Sequence, residues 1–170
     1  MQTSTTPGSL ISADEDRGDR WVVAQLVLTA LVIVAGFLPP GWRGLTPLLA
    51  PVGAAIGFLG LLLAIWAWRT LGTAATPFPR PREGGRLVET GPYAVVRRPV
   101  YAGGFLFLLG FALATSPAAL LPLAALALLW RNKAALEDEW LAQRYEDYDA
   151  YRRRVPGAFV PRSLRVDRVA

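Results

Sequence analysis

Residues 91–107 read GPYAVVRRPVYAGGFLF, and they set two arginines and a proline at the mouth of an apolar run. Pro99 suits the first turn of a helix, where its missing N–H costs nothing. The sequence from Pro99 to Trp130 is apolar apart from a break at Thr115-Ser116-Pro117. It reads as a helical hairpin with arms over 99–115 and 117–131. Each arm is short for a bilayer span, which takes about 20 residues, so each is expected to extend beyond the hydrocarbon core. Arg97 and Arg98 then stand at a helix N-terminus, where a cation is disfavoured by about 0.3–1 kcal/mol. An anion reverses that argument, because free backbone N–H groups and a nearby guanidinium together bind carboxylates and phosphates. The simpler reading is that the arginines only anchor the helix at the membrane edge. The neighbours favour a site: Gly91-Pro92-Tyr93 turns just before, and Tyr101 and Gly103-Gly104 follow, leaving room for close approach.

The rest of the 170-residue chain has the same membrane character. It is 53% hydrophobic, with its apolar residues bunched into runs. There is no Cys and no His, which removes disulfides, thiolate nucleophiles, histidine catalysis and the usual zinc sites; no metal is expected. The net charge is +5, but the basic residues flank apolar runs, which argues against a nucleic-acid partner and for membrane lipids. Only Lys133 among the 18 basic residues is a lysine, and this Arg, Ala and Leu bias points to a GC-rich bacterial source.

Residues 1–20 are polar and read as a disordered tail. A first membrane helix is expected over 21–38, stopped by Pro39-Pro40-Gly41, and a second over 48–68. The second carries two small-xxx-small pairs, Gly53 with Gly57 and Gly60 with Ala64, which let helices approach closely. Residues 69–98 form a polar connector too rich in Pro and Gly for one helix. Residues 132–165 are charged and aromatic, and read as helical to Pro156. Trp140, Leu141, Tyr145 and Tyr148 recur there at the spacing of an amphipathic helix lying on the membrane or on the rest of the protein. The fold class expected is therefore an all-α polytopic membrane protein with about four transmembrane helices and a cytoplasmic C-terminal amphipathic helix. Basic residues cluster before the first helix, in the connector and after the fourth. The positive-inside rule puts both termini and the connector in the cytoplasm, on one face of the membrane.

GRLVETGPYAVVRRPVYAGG at 85–104 resembles the signature of the isoprenylcysteine carboxyl methyltransferase-like integral membrane methyltransferases, a superfamily that includes the phospholipid N-methyltransferases. A second block matches as well: Glu137-Asp138 followed by YEDYDAYRRRVP at 145–156. PFPRPREGG ahead of the first block is also typical, and the likeness covers roughly residues 45–165. The resemblance implies a small helical membrane enzyme, with a methyltransferase domain over 21–165, that uses S-adenosylmethionine at the cytoplasmic face. It implies a cofactor site drawn from Leu87, Val88, Gly91, Pro92, Tyr93, Arg97, Arg98, Pro99, Tyr101, Glu137 and Asp138. Leu87 and Val88 would lie beside the adenosine. Tyr93, Arg98 and Tyr101 would lie near the methionine end. Arg98 stands where the family has His; an Arg can hold a carboxylate bidentately but does not titrate near neutral pH. Asp138 stands where Glu is commoner and reaches one methylene less far.

The residues are compatible with that chemistry. Methyl transfer from a sulfonium is an in-line displacement that asks for alignment and exclusion of water. Glu137 is the candidate for the cationic cofactor or a polar substrate group, and Arg154 for an anionic substrate group. The simpler readings are a solvated acidic helix face, attraction of Arg152–Arg154 to anionic lipid, and an interfacial stripe for Tyr145, Tyr148 and Tyr151. The expected acceptor is a lipophilic or amphiphilic small molecule or lipid bearing a carboxylate, amine or thiol. Rival readings are an NADPH-dependent membrane reductase of related fold and a small membrane scaffold. No Asp, Glu, Lys or Arg lies within the apolar runs, up to Trp130 in the last, with Gln25 the main polar exception, which argues against a proton-coupled transporter.

Overall fold

A computed structural model describes residues 18–75 and 87–161. The tail expected over 1–20 falls almost wholly outside these residues, as do PFPRPREGG and the end of the C-terminal segment. The described residues form helices α1 (Asp19–Gly36), α2 (Thr46–Leu71), α3 (Pro99–Ala114), α4 (Leu120–Arg144) and α5 (Tyr148–Arg154). Short 3-10 turns lie at Gly72–Ala74, Gly91–Ala94 and Pro117–Ala119. Three helical stretches are long and apolar enough to cross a membrane: Asp19–Gly36, Thr46–Ala74 and Pro117–Arg144. α3 is a shorter apolar helix. The outward faces stay apolar, with Phe58, Leu59 and Leu128 each about 60% exposed. That suits hydrocarbon, where backbone groups must be satisfied within helices and side chains need no water. The chain is a polytopic all-helical membrane protein.

α2 and α3 are the most extensively packed pair, and glycine is the reason. A Cβ on Gly53 would stand 2.5 Å from the Gly110 carbonyl oxygen, and one on Gly60 would stand 2.5 Å from the Phe107 nitrogen. From the other side, a Cβ on Gly103 would stand 2.6 Å from the Ala64 nitrogen. Backbone lies against backbone over three turns, and the small-residue pairs of α2 serve contacts inside this chain. α1 packs on α4 instead, while α3 and α4 touch less. Val32, Leu108, Ala112, Leu123, Leu126 and Trp130 fill the space where these helices meet.

The hairpin between α3 and α4 closes at one end of the bundle. Ser116 Oγ accepts the Ala118 N–H, caps the turn and donates to the Pro40 carbonyl. Trp42 Nε1 donates to the Ala112 carbonyl beside it. At the opposite end lie the described parts of the connector, the start of α3 and residues 131–161. α1 stops at Gly36, two residues before the expected end at 38. The Phe37 and Leu38 N–H groups bond to Val34 and Ala35 in a tightened last turn, because residues ahead of proline leave the helical region.

The C-terminal segment differs more from expectation. As expected of the last arm, α4 runs on past Trp130 and through residues 132–144 without a break; the departure comes after it. Tyr145 is then extended, and α5 starts at Tyr148 in a new direction. Tyr148 and Tyr151 are 0% and 2% exposed, so they are not an interfacial stripe. With Val155 they make a second small core that packs on Leu87 and Leu141.

Candidate functional site

Pro99 starts α3, as the sequence predicts, so Arg98 is its N-cap. Behind it the chain pairs with the segment after α5. The Arg97 N–H donates to the Gly157 carbonyl at 2.9 Å, and the Arg98 N–H to the Ala158 carbonyl at 2.8 Å. These bonds bring residues some sixty apart in sequence to the mouth of α3 and fix where both guanidinium groups start.

The two arginines part company from there. Arg97 turns into the protein: its Nη1 donates to the Val155 and Pro156 carbonyls, both at 2.8 Å, and its Nη2 to Asp138 Oδ2 at 3.1 Å. It clamps the C-terminal segment. Arg98 instead faces both adjacent acids of α4. Nη2 donates to Asp138 Oδ1 at 2.7 Å, and Nε stands 3.2 Å from Glu137 Oε2. Burial favours loss of the Arg98 proton, but Glu137, Tyr148, Asp138 and Tyr101 more than offset this and hold its pKa above the ordinary arginine value. The guanidinium stays charged. The puzzle of two cations at a helix N-terminus is thus resolved: carboxylates supplied by α4 sit beside them.

Three tyrosines complete the cluster. The Tyr101 hydroxyl donates to Glu137 Oε1, and the Tyr148 hydroxyl to Asp138 Oδ1, each at 2.5 Å. The Tyr151 hydroxyl donates to the Tyr93 carbonyl at 2.8 Å. Burial pushes the pKa of Tyr93 and of Tyr148 well above the usual phenol value, and that of Tyr151 up to about 12, although Arg98 opposes each shift. All three therefore remain neutral at physiological pH, and Tyr148 and Tyr151 act as donors.

The other expected residues take varied places. Leu87 packs on the core of Tyr148, Tyr151 and Val155, and Val88 is half-buried beside it in sequence. Gly91 has φ +60°, which favours glycine, and a Cβ there would also meet Thr70 at 3.2 Å. Pro92 and Tyr93 are buried in the 3-10 turn it opens. Arg154 is not part of the cluster; it is exposed and paired with Glu89 at the surface. Two residues here were missed from sequence. Lys133 is fully buried in α4, donates to Gln25 Oε1 of α1 at 3.2 Å, and stands 5.5 Å from the Tyr101 ring centre. Its signal was being the chain's single lysine, four residues before Glu137 and so on the same helix face. Trp130 stacks on Tyr101 with ring centres 5.5 Å apart, and nothing local in the sequence distinguished it from an interfacial tryptophan.

Beside the polar cluster is an apolar cavity of about 1010 Å³. Leu63 and Trp66 of α2, Phe105 of α3, Leu128 of α4 and Phe159 beyond α5 contribute to its walls. It lies where α3 and α4 diverge from their hairpin. Tyr101 belongs to both regions, its ring lining the cavity and its hydroxyl holding Glu137.

The sequence has recognisable relatives. The family model described as phospholipid methyltransferase matches residues 49–148. The nickel-cobalt-cadmium resistance protein NccN of Alcaligenes xylosoxydans xylosoxydans is 31% identical over 145 residues, which is 83% of this chain and 62% of that protein. The cobalt-zinc-cadmium resistance protein CzcN of Cupriavidus metallidurans is 32% identical over 145 residues, covering 83% of this chain and 61% of that protein. This chain thus spans about three-fifths of the length of these curated relatives. Among its own described residues there is no group of three or more Asp or Glu placed to hold a metal ion.

Proposed function

Because the chain belongs to the phospholipid methyltransferase family, we propose that it moves a methyl group from S-adenosylmethionine to a lipophilic acceptor at the cytoplasmic face of a bacterial inner membrane. The observation that carries this reading is the double role of Tyr101. A charged, hydrogen-bonding cluster suited to a polar donor meets, at one side chain, an apolar cavity suited to an amphiphile.

The residues fit the proposed methyl donor. Two guanidinium groups, Arg97 and Arg98, stand against Glu137 and Asp138, with Lys133 on the same face of α4. Guanidinium donors at the mouth of α3 suit an amino-acid carboxylate. Arg98 Nε is buried without a hydrogen bond: Glu137 Oε2 stands 3.2 Å away but off the line of the N–H, which leaves that donor unsatisfied. When bound, S-adenosylmethionine supplies an electrophilic methyl on a sulfonium. In this reading Arg98 holds the carboxylate. Glu137 balances the cation or orients the acceptor's polar group, and Tyr101 fixes the rotamer of Glu137. Tyr93, Leu87 and Val88 form the adjoining wall, with Gly91 and Pro92 shaping the turn. Asp138, Arg97 and Pro99 hold the frame. The cavity excludes water and aligns the acceptor, and positioning of that kind supplies several kcal/mol. Arg154, at the surface, takes no part in this scheme.

A titration of the detergent-solubilised protein with S-adenosylmethionine, and separately with NADPH, tests the reading. Saturable S-adenosylmethionine binding, weakened in Arg98→Ala and Glu137→Ala, is expected, followed by labelled methyl transfer into a lipid extract. Binding of NADPH alone would make the protein a reductase. Binding of neither by a folded sample would leave a membrane scaffold.

A further inference from the structure

The apolar cavity has an asymmetric polar complement, and that asymmetry speaks to its occupant. Apart from the Tyr101 hydroxyl, which is engaged with Glu137, the polar side chains among the described residues of its wall are those of Trp66, Trp130 and Arg131. All three are donors only. Trp130 is 7% exposed, and its Nε1 is buried without a hydrogen-bond partner. That nitrogen is closed off from the cavity, so the charge open to a ligand there is that of Arg131. Arg131 follows directly in α4. It is exposed, and no described residue pairs with its guanidinium. The acids nearest in sequence, Glu137 and Asp138, are taken up by Arg98, Arg97 and the tyrosines. Among the described residues no carboxylate lines the cavity to meet a cationic head.

We propose that Arg131 selects an acceptor whose apolar chain ends in an anionic group, a carboxylate or phosphate, over one that ends in an amine. This rests on the reading that the acceptor occupies the cavity. The tail lies between α2, α3 and α4 among Leu63, Phe105 and Leu128, and charge complementarity sets the head beside Arg131. From there the head is next to the residue that stacks on Tyr101, and so beside the polar cluster. Arg131 is thus a specificity-determining residue, separate from the arginines of the α3 N-terminus.

The test uses three probes with one tail: hexadecyl phosphate, hexadecanol and hexadecylamine, titrated by calorimetry into full-length protein in a maltoside detergent without any methyl donor. Wild type should bind the phosphate about tenfold or more tighter than the alcohol, the size of one charge-assisted hydrogen bond, and the amine most weakly. Arg131→Gln should erase the preference and leave hexadecanol binding unchanged, showing that the cavity is intact. Arg131→Lys should restore part of it. Arg152→Gln, a basic residue of α5 away from the cavity, should alter nothing. Three results would each overturn the proposal: an amine bound as tightly as the phosphate, a preference that survives Arg131→Gln, or an equal loss in Arg152→Gln, which would mean plain attraction to a basic surface. The two readings fail separately. Anion selectivity that depends on Arg131 without any methyl transfer would sink the enzymatic reading alone. Methyl transfer to a neutral or cationic amphiphile at a rate indifferent to Arg131 would sink this inference alone.

Discussion

Tyr101 donates its hydroxyl proton to Glu137 across the gap between α3 and α4, while its ring forms part of the apolar cavity wall. One side chain thereby ties the start of α3 to the charged half of α4. Tyr101→Phe keeps the wall and removes the tie. A hydrogen bond to a charged group is worth about 1.5–3 kcal/mol, so methyl transfer should slow by roughly ten- to a hundredfold. Binding of a lipophilic probe in the cavity should hardly change. Rates and probe affinities measured side by side check this; equal losses in both would mean that Tyr101 only shapes the wall.

Asp138 is the hub of the polar cluster, accepting from Arg97, Arg98 and Tyr148. Asp138→Ala leaves two buried guanidinium groups short of a partner. Breaking such a pair from one side costs about 3–5 kcal/mol. Thermal unfolding in detergent should show a large drop. Arg154→Ala, which removes an exposed partner of Glu89, should change stability by no more than about 1 kcal/mol. Similar melting points for the two variants would contradict the assignment of a buried network and a surface pair.

The glycine contact predicts a graded series. A Cβ on Gly110 would stand 2.4 Å from the Gly53 carbonyl oxygen, whereas one on Gly57 would keep 3.4 Å from the Phe107 oxygen. Gly110→Ala must push α2 and α3 apart and should cost at least about 1–3 kcal/mol, the usual range for overpacking. Gly57→Ala should be tolerated far better. Melting temperatures of the two variants decide it, and the reverse order would mean that the helices are not in this register.

Alkaline pH should loosen the C-terminal segment. An unfolded tyrosine releases its proton near pH 10, but burial pushes Tyr151 up to about 12. Between those values the unfolded state binds fewer protons, so stability falls as pH rises. The Tyr151 contribution is fully present below about pH 10 and fades towards 12. Tyr93 and Tyr148 are shifted the same way and add to it. Circular dichroism melts from pH 9 to 12 should show the decline, with a shallower slope in Tyr151→Phe. A flat profile would place these phenols in water.

What could be read from the chain alone was what depends on neighbours in sequence. Apolar runs of bilayer length gave the spans, because a helix in hydrocarbon satisfies its own backbone. Pro99 gave the start of α3, because its ring fits the first turn. The glycines of α2 gave a close helix contact, because only they leave room for it. The motifs around Arg98 and Glu137 named the methyltransferase family, which the match over residues 49–148 bears out. The tertiary structure decided which side chains meet. Arg98 and Asp138 are forty residues apart, and their pairing depends on how α3 and α4 diverge above the Ser116 turn. The same geometry decides that Arg97 clamps carbonyls while Arg98 faces acids, although the two are adjacent. Periodicity gave Tyr148 and Tyr151 a face but not what covers it. The break at Tyr145 turns that face inward, onto Asp138 and the Tyr93 carbonyl, and removes it from lipid. Arg154, which composition could not tell from its neighbours, is drawn to Glu89 by the same fold. Spacing along a helix fixes direction around one axis only; the angle between two axes belongs to the packed whole.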